Sequence, residues 1–400
     1  MKETVVIIGA GQAGASVAQK LRTLGYQGRV LLLGAEPHPP YQRPPLSKKY
    51  LAAEWTRERL WLKPLTFWAD SNIELRPGAK VRSVNPYSRT VAVGDETLRW
   101  DKLVFATGAR PRPRPPGFAG KRHVYELRNI ADVDKLRDAF GAGQHMLVIG
   151  GGFVGLETAA VAASHGLSVT VIERADRILE RAVGEEVSTF LRQLHESHGV
   201  RIIEEAKITK VLGNGEFKGA QMMSGEVIAA DSALIGVGAE PDVDVARAAG
   251  IQTDNGIVVD AYGRTSHPDI WAAGDCTQFP FAGHAIRLES VQNAVDQAEA
   301  VAADLVGAGQ PYAPVPWFWS DQYDTKLQIA GLARQVDRTV SLRSARGEAH
   351  WRFSQGALVA VEAINDARAF MAARKLMEQG IAVQADMLTR DGFDPRALLV

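Results

Sequence analysis

Val5-Val6-Ile7-Ile8-Gly9-Ala10-Gly11-Gln12-Ala13-Gly14 is the stretch on which the reading of this chain turns. Four β-branched apolar residues suit a strand buried on both faces. The glycines follow at once. A helical pattern comes next, with Val17, Ala18, Leu21 and Leu24 on one face and Gly25 as its stop. Val30 to Leu33 reads as a second apolar strand ending near Glu36. In this order the first glycine permits a tight turn, the second lets backbone approach a pyrophosphate, and the third lets the helix pack on the strand. The helix N-terminus then faces the phosphates, and an acid beyond the second strand accepts from ribose hydroxyls. A lone G-x-G-x-x-G is a weak signal. With strand, helix, second strand and acid all in place, it reads as a Rossmann-type dinucleotide site rather than a plain glycine turn.

The pattern recurs. Met146 to Ile149 is a strand, and Gly150-Gly151-Gly152-Phe153-Val154-Gly155 is the turn. Leu156, Ala159, Ala160 and Ala163 form a helical face ending at Gly166, and Val169 to Ile172 is a strand closed by Glu173. Two fingerprints imply two dinucleotides in one chain. An acid at the end of the second strand disfavours a 2′-phosphate, so Glu173 argues for NADH over NADPH. Arg174, which follows, could accommodate that phosphate and is read as a solvated surface charge.

Working outward, Leu103 to Ala109 is an apolar strand ending in Thr107-Gly108, and a Pro- and Arg-rich linker follows. Leu234 to Pro241 and Ile270 to Asp275 are further strand ends. The expected organisation is a discontinuous first domain, residues 1–112 and 240–316, with a second domain, 113–239, inserted into it. Residues 317–400 form a small α+β domain. Its short strands are Lys326–Gly331, Thr339–Arg343, Ala349–Phe353 and Ala357–Ala363, and its helix is Ala367–Glu378. The fold class is α/β with two Rossmann-like domains.

The 400 residues carry 46 Lys+Arg against 46 Asp+Glu, so no global charge draws the chain to nucleic acid or a membrane surface. The most apolar stretch, residues 146–163, contains three consecutive glycines and Glu157, and reads as strand, turn and helix rather than a membrane span. Gly9 interrupts the N-terminal apolar run before it reaches signal-peptide length, so a cytoplasmic protein is expected. The single cysteine, Cys276, excludes an intrachain disulfide, a CxxC pair and a zinc knuckle. The nine histidines show no HxxxH or HExxH spacing, and no metal site is expected. His195 and His198 read as surface residues of a helix.

The two fingerprints, the Thr107-Gly108 strand end and Ala273-Gly274-Asp275 together resemble the two-dinucleotide flavoproteins of glutathione-reductase type. Three segments are more specific: Pro40-Tyr41-Gln42-Arg43-Pro44-Pro45-Leu46-Ser47-Lys48, Glu289 to Ala294, and Pro316-Trp317-Phe318-Trp319-Ser320-Asp321-Gln322. They resemble NADH-dependent ferredoxin reductases of the putidaredoxin reductase and aromatic-dioxygenase reductase type, and the likeness covers essentially the whole chain. It implies FAD at the first site and NADH at the second. Gly9, Gly11, Ala13 and Gly14 would cradle the FAD pyrophosphate, with Glu36 on the adenosine ribose. Arg43, Lys48, Val81, Ala106, Thr107, Gly108, Arg128, Gly274, Asp275 and Val291 match FAD-contacting positions, and Trp319 would cover the flavin edge. Gly150, Gly152, Val154, Gly155 and Gly238 match the NAD site, with Glu173 on the ribose and Arg181 near the adenosine. The resemblance also implies a catalytic pair, Lys48 near the flavin and Glu157 on the second glycine helix. Ala35 stands where many relatives have an acid, Asp242 where they often have Asn, and Glu299 where some have a base.

Hydride transfer needs no protein nucleophile, because the cofactors carry the chemistry. Relatives with a disulfide or single-thiol mechanism place cysteine by the flavin, and Pro44 to Ser47 holds none. Cys276 reads as a small buried residue. The expected activity is therefore an FAD-dependent NADH:ferredoxin oxidoreductase. It would pass single electrons to a [2Fe-2S] ferredoxin that serves a cytochrome P450 or a ring-hydroxylating oxygenase. Lys63, Lys326 and Arg334 are candidate cations for an acidic ferredoxin. The resemblance favours a monomer. Rubredoxin reductase, an NADH oxidase or quinone reductase, and a redox-sensing NADH-binding module are the alternatives.

Overall fold

The structure is a computed structural model and describes residues 3–345, 347–390 and 393–399. Its contacts divide the chain into two compact units. The first holds the chain up to Gln42, Arg57–Arg110 and Ala239–Pro314; the second holds Arg43–Thr56, Pro111–Gly238 and the chain from Val315 on. The segment Arg43–Thr56 thus belongs with the second unit, although sequence order sets it within the first domain.

Each unit is built on a five-stranded parallel sheet. In the first, the order is Ile270–Ala272, Lys102–Phe105, Thr4–Ile8, Arg29–Leu33 and Ile73–Arg76. In the second it is Arg201–Ile203, Ser168–Ile172, His145–Ile149, Ser232–Ile235 and Val124–Tyr125. The glycine-turn strand is central in both. On one side lie the next two strands of the chain; on the other lies the strand that follows a three-stranded antiparallel meander, Val81–Arg99 in the first unit and Ile208–Ala229 in the second. The apolar runs are buried along nearly their whole length, as double-sided parallel strands must be. In the first unit Val5, Ile7, Val17 and Leu21 share a core with Ala298 and Val301 of the helix Val291–Leu305.

The second unit also carries an antiparallel sheet ordered Trp317–Gln322, Thr325–Gly331, Ala357–Ile364, Glu348–Ser354 and Arg338–Arg343, with the helix Ala367–Glu378 against it. The first of these strands carries no strand signal in the sequence, because its aromatic and polar residues lack apolar alternation. Among the described residues, no helix is long and apolar enough to cross a membrane.

Candidate functional site

The two glycine turns have the same internal geometry. Gly9 and Gly150 adopt φ +113° and +107°, conformations closed to other residues. A Cβ on Gly9 would collide with the carbonyl oxygen of Ala106, and one on Gly150 with that of Gly236. A Cβ on Gly14 or Gly155 would strike the carbonyl of Gly9 or Gly150, so these glycines let each helix close onto its strand. Gly11 and Gly152 differ. Among the described residues, and apart from the adjoining chain, no atom lies within 4 Å of a Cβ at either position. The protein's own packing does not demand glycine there, and the open space beside each leaves room for a ligand to approach the backbone closely.

Gly11 and Gly152 are also the N-caps of the helices Gln12–Thr23 and Phe153–Ser164. Neither helix start has a side-chain cap or an acid in its first turn. The first amides are therefore left to an anion, which the helix dipole favours. The donor set suits a pyrophosphate in both cradles. An acid stands beside each turn. Glu36 accepts from the Tyr41 hydroxyl at 2.6 Å. Glu173 accepts from the Gly151 amide at 2.7 Å and the Ala175 amide at 2.8 Å, which pins its carboxylate to the glycine turn itself. Arg174 and Arg181 are exposed, and Val154 is 42 % exposed at the start of its helix.

In the first unit, Gly274 lies against the first glycine helix: its Cβ would come within 2.9 Å of the Ala13 methyl. Ala13, Ala106, Gly274 and half-buried Asp275 thus converge at the carboxyl ends of the strands. Gln297 was missed by sequence reasoning. Its buried Oε1 accepts from the Gly274 amide at 2.8 Å and the Thr277 hydroxyl at 2.9 Å, tying the backbone on one side of Asp275 and a side chain on the other. Its i,i+4 spacing from Asn293 on the same helix was the available signal. Ser290 caps that helix, accepting from the Asn293 amide at 3.1 Å, and leaves Val291 as its first residue. Thr107 donates to the Asp242 carbonyl at 2.5 Å, and the Gly108 carbonyl accepts from the Asp242 amide at 2.9 Å. These two residues tie down the returning chain. Val81 is buried at the head of its strand. Glu299 pairs with Lys20 at 2.7 Å, and Lys63 lies 5.2 Å from the Phe67 ring centroid.

In the second unit, Lys48 and Glu157 meet at 2.6 Å. Glu157 is 4 % exposed. Its Oε2 also accepts from the Ser47 hydroxyl at 2.5 Å, and its Oε1 accepts from the Ser320 hydroxyl at 2.6 Å. Lys48 is half-buried, whereas Lys49 beside it is exposed. Arg43 donates to the Arg128 carbonyl at 2.7 Å. The Arg112 amide donates to the Gly238 carbonyl at 3.0 Å. Trp317 packs against Phe370, with the Arg374 guanidinium 5.4 Å from its ring centroid, and so belongs to the core of the C-terminal sheet. Trp319 is half-exposed and stacks loosely on Trp317, ring centroids 5.6 Å apart. Lys326 and Arg334 are exposed.

His195 is a correction. Sequence reading set it on a surface; it is fully buried, and burial pushes its pKa below the usual histidine range. The helix Glu185–Ser197 presents Val187, Leu191 and His195 at successive four-residue steps to the interior, which puts the imidazole on the buried face. His198 is exposed, as expected. Cys276 is also fully buried, and desolvation pushes its thiol up, away from the reactive thiolate.

The sequence profile of the pyridine nucleotide-disulphide oxidoreductase family matches residues 3–298. The chain belongs to this family. A reductase C-terminal profile matches residues 317–399. Within the family, rhodocoxin reductase of Rhodococcus erythropolis is 40 % identical over 397 residues, covering 98 % of this chain and 93 % of its own. The crystal structure of the ferredoxin reductase for the CYP199A2 system from Rhodopseudomonas palustris superposes with a TM-score of 0.96 at 38 % identity, covering 100 % of both chains. The covalent putidaredoxin reductase–putidaredoxin complex matches at a TM-score of 0.95 and 34 % identity, over 99 % of this chain and 98 % of that one. This family member is an oxidoreductase of the flavoprotein ferredoxin-reductase type.

Proposed function

We propose that this chain is an FAD-dependent NADH:ferredoxin oxidoreductase that feeds electrons to a [2Fe-2S] ferredoxin of a cytochrome P450 or ring-hydroxylating oxygenase system. The observation that carries the reading is the pair of matched cradles, each with a second glycine that the protein's own packing does not require. Bound FAD would accept hydride from NADH and release electrons singly. The chain's residues bind, orient and exclude. Gly9, Gly11 and Gly14 would hold the FAD pyrophosphate, with Glu36 on the ribose and Asp275 on the ribitol. Gly150, Gly152 and Gly155 would hold that of NADH, with Glu173 on its ribose. A carboxylate fixed beside the turn repels a 2′-phosphate, which favours NADH. The Lys48 ammonium, oriented by Glu157, would stabilise negative charge gained by the ring. Residues 1–112 and 240–316 form the FAD domain in this reading, 113–239 the NAD domain and 317–400 the C-terminal domain.

The buried Cys276 supports direct exit of electrons from the flavin rather than a thiol relay. A cytoplasmic monomer is the proposed state, set where NADH is the available donor. The test is NADH-driven cytochrome c reduction by the purified holoprotein, with and without a [2Fe-2S] ferredoxin. Strong stimulation by the ferredoxin is expected. Rapid flavin reduction that ferredoxin does not accelerate would refute the one-electron carrier and leave oxygen, a quinone or rubredoxin as acceptor.

A further inference from the structure

A run of buried hydrogen bonds leads away from Glu157 and is used by neither cradle. The Ser320 hydroxyl donates to Glu157 Oε1 at 2.6 Å. Gln322 Nε2 donates to Ser320 Oγ at 3.1 Å. His195 Nε2 meets Gln322 Oε1 at 2.7 Å, and the Tyr323 hydroxyl reaches His195 Nδ1 at 3.3 Å. Ser320, Gln322 and His195 are all essentially inaccessible to solvent.

The direction of every bond follows from one end. A carboxylate only accepts, so Ser320 must donate to it and is left an acceptor toward Gln322. Gln322 must therefore turn its amide nitrogen to Ser320 and its oxygen to His195. His195 must then carry its proton on Nε2 and accept on Nδ1, which suits the tyrosine hydroxyl. The local structure is arranged for this. Ser320 and Gln322 are two apart on one strand and share a face, while Trp319 and Asp321 take the other. Tyr323 holds φ +55° at the hairpin tip, unusual for a non-glycine residue, and its ring stacks on His198 with centroids 3.7 Å apart.

We infer that Ser320, Gln322, His195 and Tyr323 are positioning residues for the Lys48–Glu157 pair, joined in a one-way hydrogen-bond chain whose polarity the Glu157 carboxylate sets. The chain holds Oε1 from behind, so that Oε2 stays turned to Lys48 and Ser47. This rests on the reading of Lys48 and Glu157 given under the proposed function. The glutamine amide makes the chain an orienting device rather than a proton conduit. Aligned hydrogen bonds polarise one another, so its members act as a unit.

Glu157→Gln provides a test that simple packing would not pass. Lys48 can only donate, so the new amide must keep its oxygen at the Oε2 position and present its nitrogen to Ser320. Ser320 then donates to Gln322, the Gln322 amide turns over, and His195 becomes an acceptor at Nε2 with its proton on Nδ1. Nitrogen-15 spectra of histidine-labelled holoprotein should show His195 as the Nε2–H tautomer in the native chain and as the Nδ1–H tautomer in Glu157→Gln. The same tautomer in both would overturn the inference, as would Nδ1–H in the native chain. A kinetic comparison tests the consequence. Ser320→Ala should slow flavin reduction by NADH about tenfold, the loss of one hydrogen bond to a charged group. Ser320→Thr, which keeps the hydroxyl, should stay within about threefold. A folded, flavin-loaded Ser320→Thr as slow as Ser320→Ala would overturn the inference, and so would a Ser320→Ala of native rate. Should Ser320→Ala not fold, Gln322→Leu takes its place, with slowing expected and a native rate counting against the chain. Failure of NADH to reduce the flavin of the unsubstituted holoprotein would refute the functional reading itself, and that is read before any variant.

Discussion

Replacing Gly152 by alanine separates the demands of folding from those of the nucleotide. Gly152 sits at φ −81°, ψ 175°, which alanine adopts without strain, and among the described residues nothing beyond the adjoining chain lies within 4 Å of the Cβ it would gain. Alanine is a poorer N-cap than glycine, by about 1 kcal/mol at most. It also restricts the unfolded chain, a gain of about 0.4–1 kcal/mol in the other direction. These effects nearly cancel, so Tm should move by no more than about 2 °C. The pyrophosphate of NADH would meet the new methyl group directly. Losing two charge-assisted hydrogen bonds to backbone amides, at about 1.5 kcal/mol each, amounts to about 3 kcal/mol. At 1.4 kcal/mol per factor of ten, NADH should bind about a hundredfold more weakly. The assay is an NADH titration of the flavin-reduction rate, alongside thermal unfolding and FAD content, which should both hold. NADH affinity within about threefold of native, or a Tm loss beyond about 5 °C, would refute the argument that this glycine serves the ligand and not the fold.

Other substitutions probe the remaining claims. Glu173→Ala should shift the kcat/KM ratio toward NADPH by at least about tenfold, because a carboxylate about 4 Å from a phosphate charge costs several kcal/mol before solvent screening reduces it; an unchanged ratio would remove Glu173 from the specificity argument. Burial lowers His195 below the ordinary histidine value of 6.5. Below that value the unfolded chain takes up a proton that the folded chain refuses. Its contribution to stability is therefore whole above about pH 6.5 and is lost as pH falls toward the folded value. His350 is lowered by burial with the same sign. Tm should thus fall less steeply in His195→Gln than in the native chain between about pH 7.5 and about pH 5.5; parallel slopes would contradict the buried neutral imidazole. Cys276 should resist a thiol reagent in the folded holoprotein and react fully once unfolded, and rapid labelling of the native state would refute its burial.

Both glycine turns were legible in the sequence because their determinants are local. A β-branched run, three glycines and a helical face lie within two dozen residues, and the turn leaves no alternative to glycine at 9 and 150. The C-terminal strands from Thr325 and the helix Ala367–Glu378 were legible for the same reason, since period and turn residues sit together. The strand Trp317–Gln322 was not, because its identity as a strand lies in pairing with Thr325–Gly331 rather than in its own pattern. Lys48 in isolation reads as one of two surface lysines. What separates it from Lys49 is Glu157, 109 positions on by their numbers, and no propensity or spacing encodes that meeting. Gln297 and His195 were missed or misplaced for a related reason: helical spacing sets each on the inward face, but a polar residue is buried there only where packing supplies its partners.

By itself, then, the sequence determined the two glycine-turn units, the acids that follow them and the lack of a thiol pair, because chain geometry and composition do not depend on distant partners. Only the tertiary structure decided that Ser47, Lys48 and Ser320 share one carboxylate, and that His195 joins it through Gln322, across sequence separations of 110, 163 and 127 residues. A buried polar group must find its partners wherever packing brings them. The direction of those hydrogen bonds exists only once the segments have come together.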